Sequence, residues 1–570
     1  MKVVPTHVSA KKPQGAPFYI TWCPFAYGER IDITVLDLDE DKVLDWPMVY
    51  ILANDESAYV GQTTSIANRV DQHSANVEKR DFERVNVIFN EEFNASVVTD
   101  YEHRIIDYMH GDGRYKLTNK NKGMTDTNYF SKAAYAEMFK DLWEELRHLE
   151  LADHTIAEIE ESEVFKYSPY KGLTPDQRVA LDKIMDAISS GFANAKPIVV
   201  EGMPGTGKTV LATYLLKMLK DDPAYEGLNV KLLEPVSQLR ATLKQSVACV
   251  GGLSADDVIG PDDLAKPECG FVAGRKRNID ILLVDEAHRL KRRKCISNYG
   301  QYDKTARKLG LDTSSTQLEW ILDQAGLAVF FYDPLQTVGP SCVGPKVFKK
   351  LLGDSLTKPI VLDTQMRVKG GPSYLDYVSR IINDKDPEPE AFEGYEFVLH
   401  DDFRDFHECF ERTLRDHSLT RLIAGYAWEW VTGGRRKEVL TGPDAYDIDI
   451  DGIRLCWNSG YVNWVGRGSN NPAISHEVGC IHSIQGYDLS QAFVIVGNDL
   501  KYDEAEGHIV IDRSNYYDRN GKNTTTAEEL NQFIRNIYYV LLTRGVYGTH
   551  VYVCDPALRK HLRKYFVQDV

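Results

Sequence analysis

Ile198-Val199-Val200-Glu201-Gly202-Met203-Pro204-Gly205-Thr206-Gly207-Lys208-Thr209 is the stretch that decides the fold. A short apolar strand runs into a turn of the form GxxxxGK[ST], and the helix-forming run Val210 to Leu219 follows. Gly202, Gly205, Thr206 and Gly207 let backbone N–H groups converge on phosphate oxygens. Lys208 is placed to neutralise the β- and γ-phosphates, and the Thr209 hydroxyl to ligate Mg²⁺. The expected cofactors are ATP and Mg²⁺.

The partner is Leu282-Leu283-Val284-Asp285-Glu286-Ala287-His288. A carboxylate at the end of an apolar strand holds Mg²⁺, which is the role expected of Asp285. Glu286 is the residue to orient the attacking water. Further apolar runs at 328–331 and 360–362, and a second set at 422–424, 453–455, 493–496 and 551–553, read as buried strands. Continuous runs of this kind suit parallel sheets covered by helices on both faces. The expected class is α/β, with one P-loop lobe over 171–370 and a second lobe over 371–570.

Charge develops on the γ-phosphoryl group during transfer. An arginine reaching it from a second lobe is worth ~10³–10⁵ in rate. Arg367 and Arg544 are the candidates. They lie in Leu362-Asp363-Thr364-Gln365-Met366-Arg367 and Thr543-Arg544-Gly545. Together with Asp333-Pro334-Leu335-Gln336 and His482-Ser483-Ile484-Gln485-Gly486-Tyr487-Asp488, these stretches resemble the motifs of superfamily-one helicases, in a flavour closest to Schlafen group-3-like helicase domains. The resemblance spans roughly Leu173 to Asp555 and implies two RecA-like lobes. It assigns adenine reading to Gln177 and γ-phosphate sensing to Gln336. Gln485 and Gly486 fall in the fifth motif, and Arg367 and Arg544 are implied as fingers. Gly545 departs from the family, which usually has alanine after the arginine. Gln177 also has a local explanation, as the capping-box residue of Thr174-Pro175-Asp176-Gln177.

Upstream, two strands carry Met48-Val49-Tyr50 and Tyr59-Val60-Gly61. Arg69 and His73 share one face of the next helix by their i, i+4 spacing. Glu102 lies on a later helix, and Asn119 in the loop beyond it. Residues 48 to 123 resemble the GIY-YIG nuclease domain, with Met48 in place of its opening glycine. The resemblance implies Tyr50 as general base, with Tyr59 and His73 in its hydrogen-bond network. Glu102 is then the single carboxylate for Mg²⁺ or Mn²⁺, and Arg69 the phosphate clamp. Residues 46–130 carry thirteen acidic and nine basic side chains, so substrate delivery by the motor lobes is expected.

The chain has 570 residues, a net charge of −17 and 43% hydrophobic residues. That composition excludes wholesale disorder, and no apolar run reaches the roughly 18 residues of a membrane span. Nine cysteines without a CxxC pair argue against a disulfide framework and against a thiolate zinc site. A reduced, cytoplasmic setting is expected. The acidic balance argues against indiscriminate coating of nucleic acid. Residues 1–45 receive no task, and 131–170 read as a helical linker without a motif. Arg289 and the run Lys291-Arg292-Arg293-Lys294 are candidates for strand contact, and Trp428, Trp430, Trp457 and Trp464 for core or stacking positions. The function expected is an ATP-driven nucleic-acid motor fused to a metal-dependent endonuclease, with DNA ahead of RNA as partner. Such a fusion suits defence against foreign DNA, including antiviral defence, or repair. The alternative is a nucleotide-gated sensor that hydrolyses ATP without travelling.

Overall fold

The computed structural model describes residues 18–29, 32–120, 129–191, 196–417, 419–433, 446–458, 464–465, 474–484 and 487–567. Six parallel strands form the sheet that carries the glycine turn. Their order is Ile360–Leu362, Ile198–Gly202, Ala325–Tyr332, Ile279–Val284, Val230–Leu233 and Val258–Ile259. Val200, Leu282, Leu283, Val329 and Phe330 are wholly buried. Helices cover both faces, so neither face supplies a polar alternation and the sequence shows unbroken apolar runs.

The second large sheet has seven strands. The order is Glu396–His400, Gly545–Val553, Leu489–Val496, Arg421–Ala424, Glu477–Gly479, Ile453–Trp457 and Ile448–Ile450. Its pairings are parallel except for the last, a hairpin. The polar stretch after Leu500 forms a two-stranded ribbon, Leu500–Asp503 with His508–Ile511, and the helix Arg519–Thr524.

The N-terminal sheet runs Tyr19–Pro24, Arg84–Phe89, Met48–Ala53, Ser57–Thr63 and Lys116–Leu117. Here the structure differs from a unit beginning at residue 46. Tyr19–Pro24 pairs antiparallel with the full length of Arg84–Phe89, a long-range pairing that no local turn announces.

The segment 131–170 is also more than a connector. Helix Lys132–His148 buries Phe139, Leu142, Trp143 and Leu146. They belong to one core that also holds Val49 and Ile51 of the small sheet, Tyr101 and Ile105, and Leu211, Leu215 and Leu243 of the first lobe. Leu117 forms a parallel bridge with Val250. The N-terminal unit and the first lobe therefore share apolar packing.

Candidate functional site

Gly207 sits at φ 72°, in the left-handed region, and caps the helix Lys208–Asp221. Glycine adopts that conformation without a Cβ penalty. Lys208 Nζ donates to the carbonyls of Gly202 (2.7 Å) and Met203 (3.0 Å) and lies 3.8 Å from Asp333 Oδ2. Thr206 Oγ donates to the Met203 carbonyl at 3.0 Å and closes the turn from inside.

Asp285 and Glu286 follow the strand Ile279–Val284. Both Asp285 carboxylate oxygens are buried without a hydrogen-bond partner among the described residues. Burial first, and the neighbouring Glu286 second, push its carboxyl up to about 7, with Thr209 and Lys208 among the groups opposing the rise. Burial would raise Glu286 too, but His288, Lys208 and Arg544 hold it well below the usual carboxylate range. His288 Nε2 is 3.0 Å from Glu286 Oε2. Glu286 takes φ 45°, a left-handed kink at the start of the short helical turn Ala287–Arg289.

From Lys208 a polar relay runs into the second lobe. Gln336 donates to Asp333 Oδ2 at 2.7 Å, and Arg544 Nη2 donates to Gln336 Oε1 at 3.2 Å. Burial and the nearby Arg367 push the Arg544 guanidinium down to about 10. Arg367 forms an ion pair with Asp488. Lys208, Thr209, Glu286, Gln336, Arg367 and Arg544 all line one cleft, so residues separated by more than 300 positions meet. Gly205 and Gly207 line it as well, while Gly202, Thr206, Gln177 and Asp285 stand behind it. Gln177 is buried and donates to the carbonyls of Thr206 (3.0 Å) and Gly207 (3.4 Å), while its Oε1 accepts from Thr174 N. It serves as helix cap and loop brace together. Gln485 and Gly486 lie outside the described residues.

Several members of the site carry no signal that sequence alone reveals. Gln365 donates to the Pro204 carbonyl at 2.6 Å and accepts from Arg367 N at 2.7 Å. Asp176 accepts from Asp363 N and Thr364 N at 2.9 Å each. Burial opposes its ionisation, yet hydrogen bonds from Thr174, Thr364 and Asp363 hold its carboxyl at about 2. Lys166 and Tyr167, from the expected linker, and Lys171, at the start of the first lobe, line the cleft too. Asp176 is masked by the capping box, Lys166 and Tyr167 by a helix-forming composition, and Gln365 stands in the Arg367 stretch without a role of its own.

The basic run beyond Asp285-Glu286 is engaged within the chain. Arg293 pairs with Asp303 at 2.6 Å. Arg292 and Lys294 lie 3.6 and 4.0 Å from Glu529 of the second lobe. Trp457 and Trp464 are buried, whereas Trp430 is exposed.

The N-terminal residues converge on a second cavity of about 610 Å³, lined by Tyr59, Arg69, His73 and Glu102 together with Lys79 and Asn119. Tyr50, expected there as a base, lies one layer deeper. It occupies the central strand, fully buried, and its ring passes over Gly61. A Cβ on Gly61 would stand 2.2 Å from Tyr50 Oη. Tyr50 Oη lies 2.8 Å from His73 Nε2 and accepts from Arg69 Nε at 3.1 Å. Burial, Arg69 and Lys79 push His73 down to about 4, so a neutral ring meets the Tyr50 hydroxyl. Burial raises Tyr59, over whose ring Lys79 Nζ stands at 3.2 Å. Asn119 exchanges both its amide groups with the Val60 backbone, at 3.1 and 2.8 Å.

Residues 195–555 match the family described as Schlafen group 3, DNA/RNA helicase domain. The chain belongs to that family. The Schlafen group 3 domain thus takes in the glycine turn, Asp285-Glu286, Gln336 and both arginines. The uncharacterized protein YPL245W of Saccharomyces cerevisiae is 24% identical over 436 residues, 68% of this chain and 90% of its own length. Among solved structures, arterivirus nonstructural protein 10, a helicase in complex with DNA, aligns at TM-score 0.26 and 13% identity over 65% of this chain and 64% of that one. The helicase MrfA bound to DNA aligns at TM-score 0.27 and 10% identity, over 68% of this chain and 47% of that one.

Proposed function

We propose that the Schlafen group 3 lobes form an ATP-driven nucleic-acid motor, and that the N-terminal cavity is a metal-dependent site for phosphodiester cleavage, with DNA ahead of RNA as substrate. The observation that carries the motor is the meeting of Lys208, Glu286, Gln336, Arg367 and Arg544 in one cleft between lobes. A relay that joins the phosphate-loop lysine to an arginine of the other lobe makes lobe position depend on what occupies the cleft. Closure and opening then accompany hydrolysis. Thr209 and Asp285 suit Mg²⁺, because a buried carboxylate with unpartnered oxygens is costly without a cation. Bound there, the ion neutralises charge on the β- and γ-phosphates. Glu286, held ionised, orients the attacking water, and Arg544 and Arg367 face the developing charge.

For cleavage, Arg69 offers a charged fork to a phosphate, and Glu102 the carboxylate for Mg²⁺ or Mn²⁺. Tyr59 and His73 face the cavity, so the base that meets water is drawn from them. Tyr50 orients both His73 and Arg69 from behind.

The test uses the full chain with labelled single- and double-stranded DNA and RNA. Lys208→Ala abolishes ATP turnover. Glu102→Ala abolishes cleavage and leaves nucleic-acid-stimulated turnover standing. Cleavage equal to the parent in Glu102→Ala overturns the cutting site. A sensor without travel is the second reading, favoured by the internal pairing of Arg292, Arg293 and Lys294. ATP-dependent strand displacement excludes it, and stimulated turnover without displacement selects it.

A further inference from the structure

We infer that His400, Cys409 and His550 form a binding site for one Zn²⁺ ion at the outer edge of the second lobe, independent of the nucleotide cleft and of the N-terminal cavity. Three elements meet there. His400 ends the edge strand Glu396–His400, and His550 belongs to its neighbour Gly545–Val553. In that parallel pair His550 stands opposite Val398 and His400 opposite Tyr552, so the two histidines are diagonal neighbours on one face of the sheet. Helix Phe403–Asp416 covers that face and brings Cys409.

One ligand atom from each residue lies within 4.8 Å of the other two. His400 Nε2 and His550 Nδ1 are 3.1 Å apart. Two imidazole nitrogens on a tetrahedral zinc, each about 2.0–2.1 Å from the ion, stand roughly 3.3 Å apart, and a thiolate binds at about 2.3 Å. The histidine pair therefore already holds close to the spacing of two ligands on one ion. A simple hydrogen bond between the rings accounts for the pair but not for the sulfur beside it.

The surroundings fit a held ligand. His550 lies flat on Phe493, with ring centroids 4.3 Å apart and planes 4° from parallel. Its other nitrogen, Nε2, is buried without a hydrogen bond of good geometry and stands 3.3 Å from Glu396 Oε2. A carboxylate behind a histidine is the usual device for fixing the ring of a metal ligand. Cys409 and His550 open on a cavity of about 580 Å³, which leaves the fourth position to water. The donor set of two imidazoles and one thiolate selects borderline-soft ions over Mg²⁺ or Ca²⁺. On loading, the Cys409 thiol gives its proton to solvent and the sulfur binds as thiolate; nothing is oxidised.

The test titrates the full chain, stripped with a chelator, with Co²⁺ followed by absorption, then with Zn²⁺ in competition. One equivalent of Co²⁺ is expected to produce a thiolate-to-cobalt charge-transfer band, which Zn²⁺ bleaches. Cys409→Ser removes the band. His400→Gln weakens binding, and Glu396→Gln weakens it by about 10–100-fold. Because His550 is packed in the core, Cys409→Ser and His400→Gln, both at half-buried positions, are the deciding variants, with circular dichroism reporting that they fold. No band in the parent, a band that survives in Cys409→Ser, or an affinity unmoved in His400→Gln overturns the site.

Discussion

Asp285 is poised between stability and chemistry. Its carboxyl titrates at about 7 in the fold against an ordinary 3.8. Between those values the folded chain holds a proton that the unfolded chain has lost, so the contribution of this carboxyl to stability falls as pH rises from about 4 to about 7. Asp285→Asn removes that cost. The thermal midpoint of the nucleotide-free variant is expected to exceed the parent's at about pH 8, by about 2–4 °C per kcal/mol recovered in a lobe of this size. At about pH 4 the two should coincide, and ATP turnover should be lost. Calorimetry at both pH values checks this, and equal midpoints at each would place a satisfied carboxylate there. Much of this arrangement was legible in the sequence, because Gly202 to Thr209 and Asp285-Glu286 are contiguous and each follows an apolar strand. Asp176 was not legible, since it acts by accepting hydrogen bonds from the distant backbone of Asp363 and Thr364. His400, Cys409 and His550 lie too far apart for any spacing rule.

At the scale of elements, the pairing of Met48–Ala53 with Ser57–Thr63 sets Tyr50 against Gly61. Any side chain at position 61 meets the Tyr50 hydroxyl. Gly61→Ala is expected to cost about 1–3 kcal/mol in denaturant unfolding. It should also abolish cleavage by displacing Tyr50 from His73 and Arg69, while ATP turnover persists. Parental stability and cleavage in this variant would mean that the strand pair yields freely. Strands were readable where apolar runs were continuous and buried, as at Ala325–Tyr332. Glu396–His400 was not, because an edge strand with one exposed face carries a weaker pattern, and Tyr19–Pro24 finds its partner sixty residues away.

For the whole molecule, the core common to the small sheet and the first lobe predicts shared unfolding. Trp143 is fully buried within it. Trp143→Ala is expected to cost about 3–5 kcal/mol and to speed hydrogen exchange in both Met48–Ala53 and Lys208–Asp221. Faster exchange confined to the small sheet would mean two independent cores. A linker composition concealed this arrangement, since the alanine, glutamate and lysine content describes only the exposed side of Lys132–His148, while Phe139, Leu142, Trp143 and Leu146 form the buried side.

The seam at Leu117 has a mechanical corollary. Leu117 N donates to the carbonyl of Cys249, which caps helix Ser237–Ala248, and Tyr170 Oη donates to the carbonyls of both Leu117 and Asn119. Any tilt of that helix during a nucleotide cycle is thus handed directly to the wall bearing Asn119. The tyrosine cavity is fixed to the first lobe like a tool to its handle, so any movement of the second lobe would change its distance from that cavity.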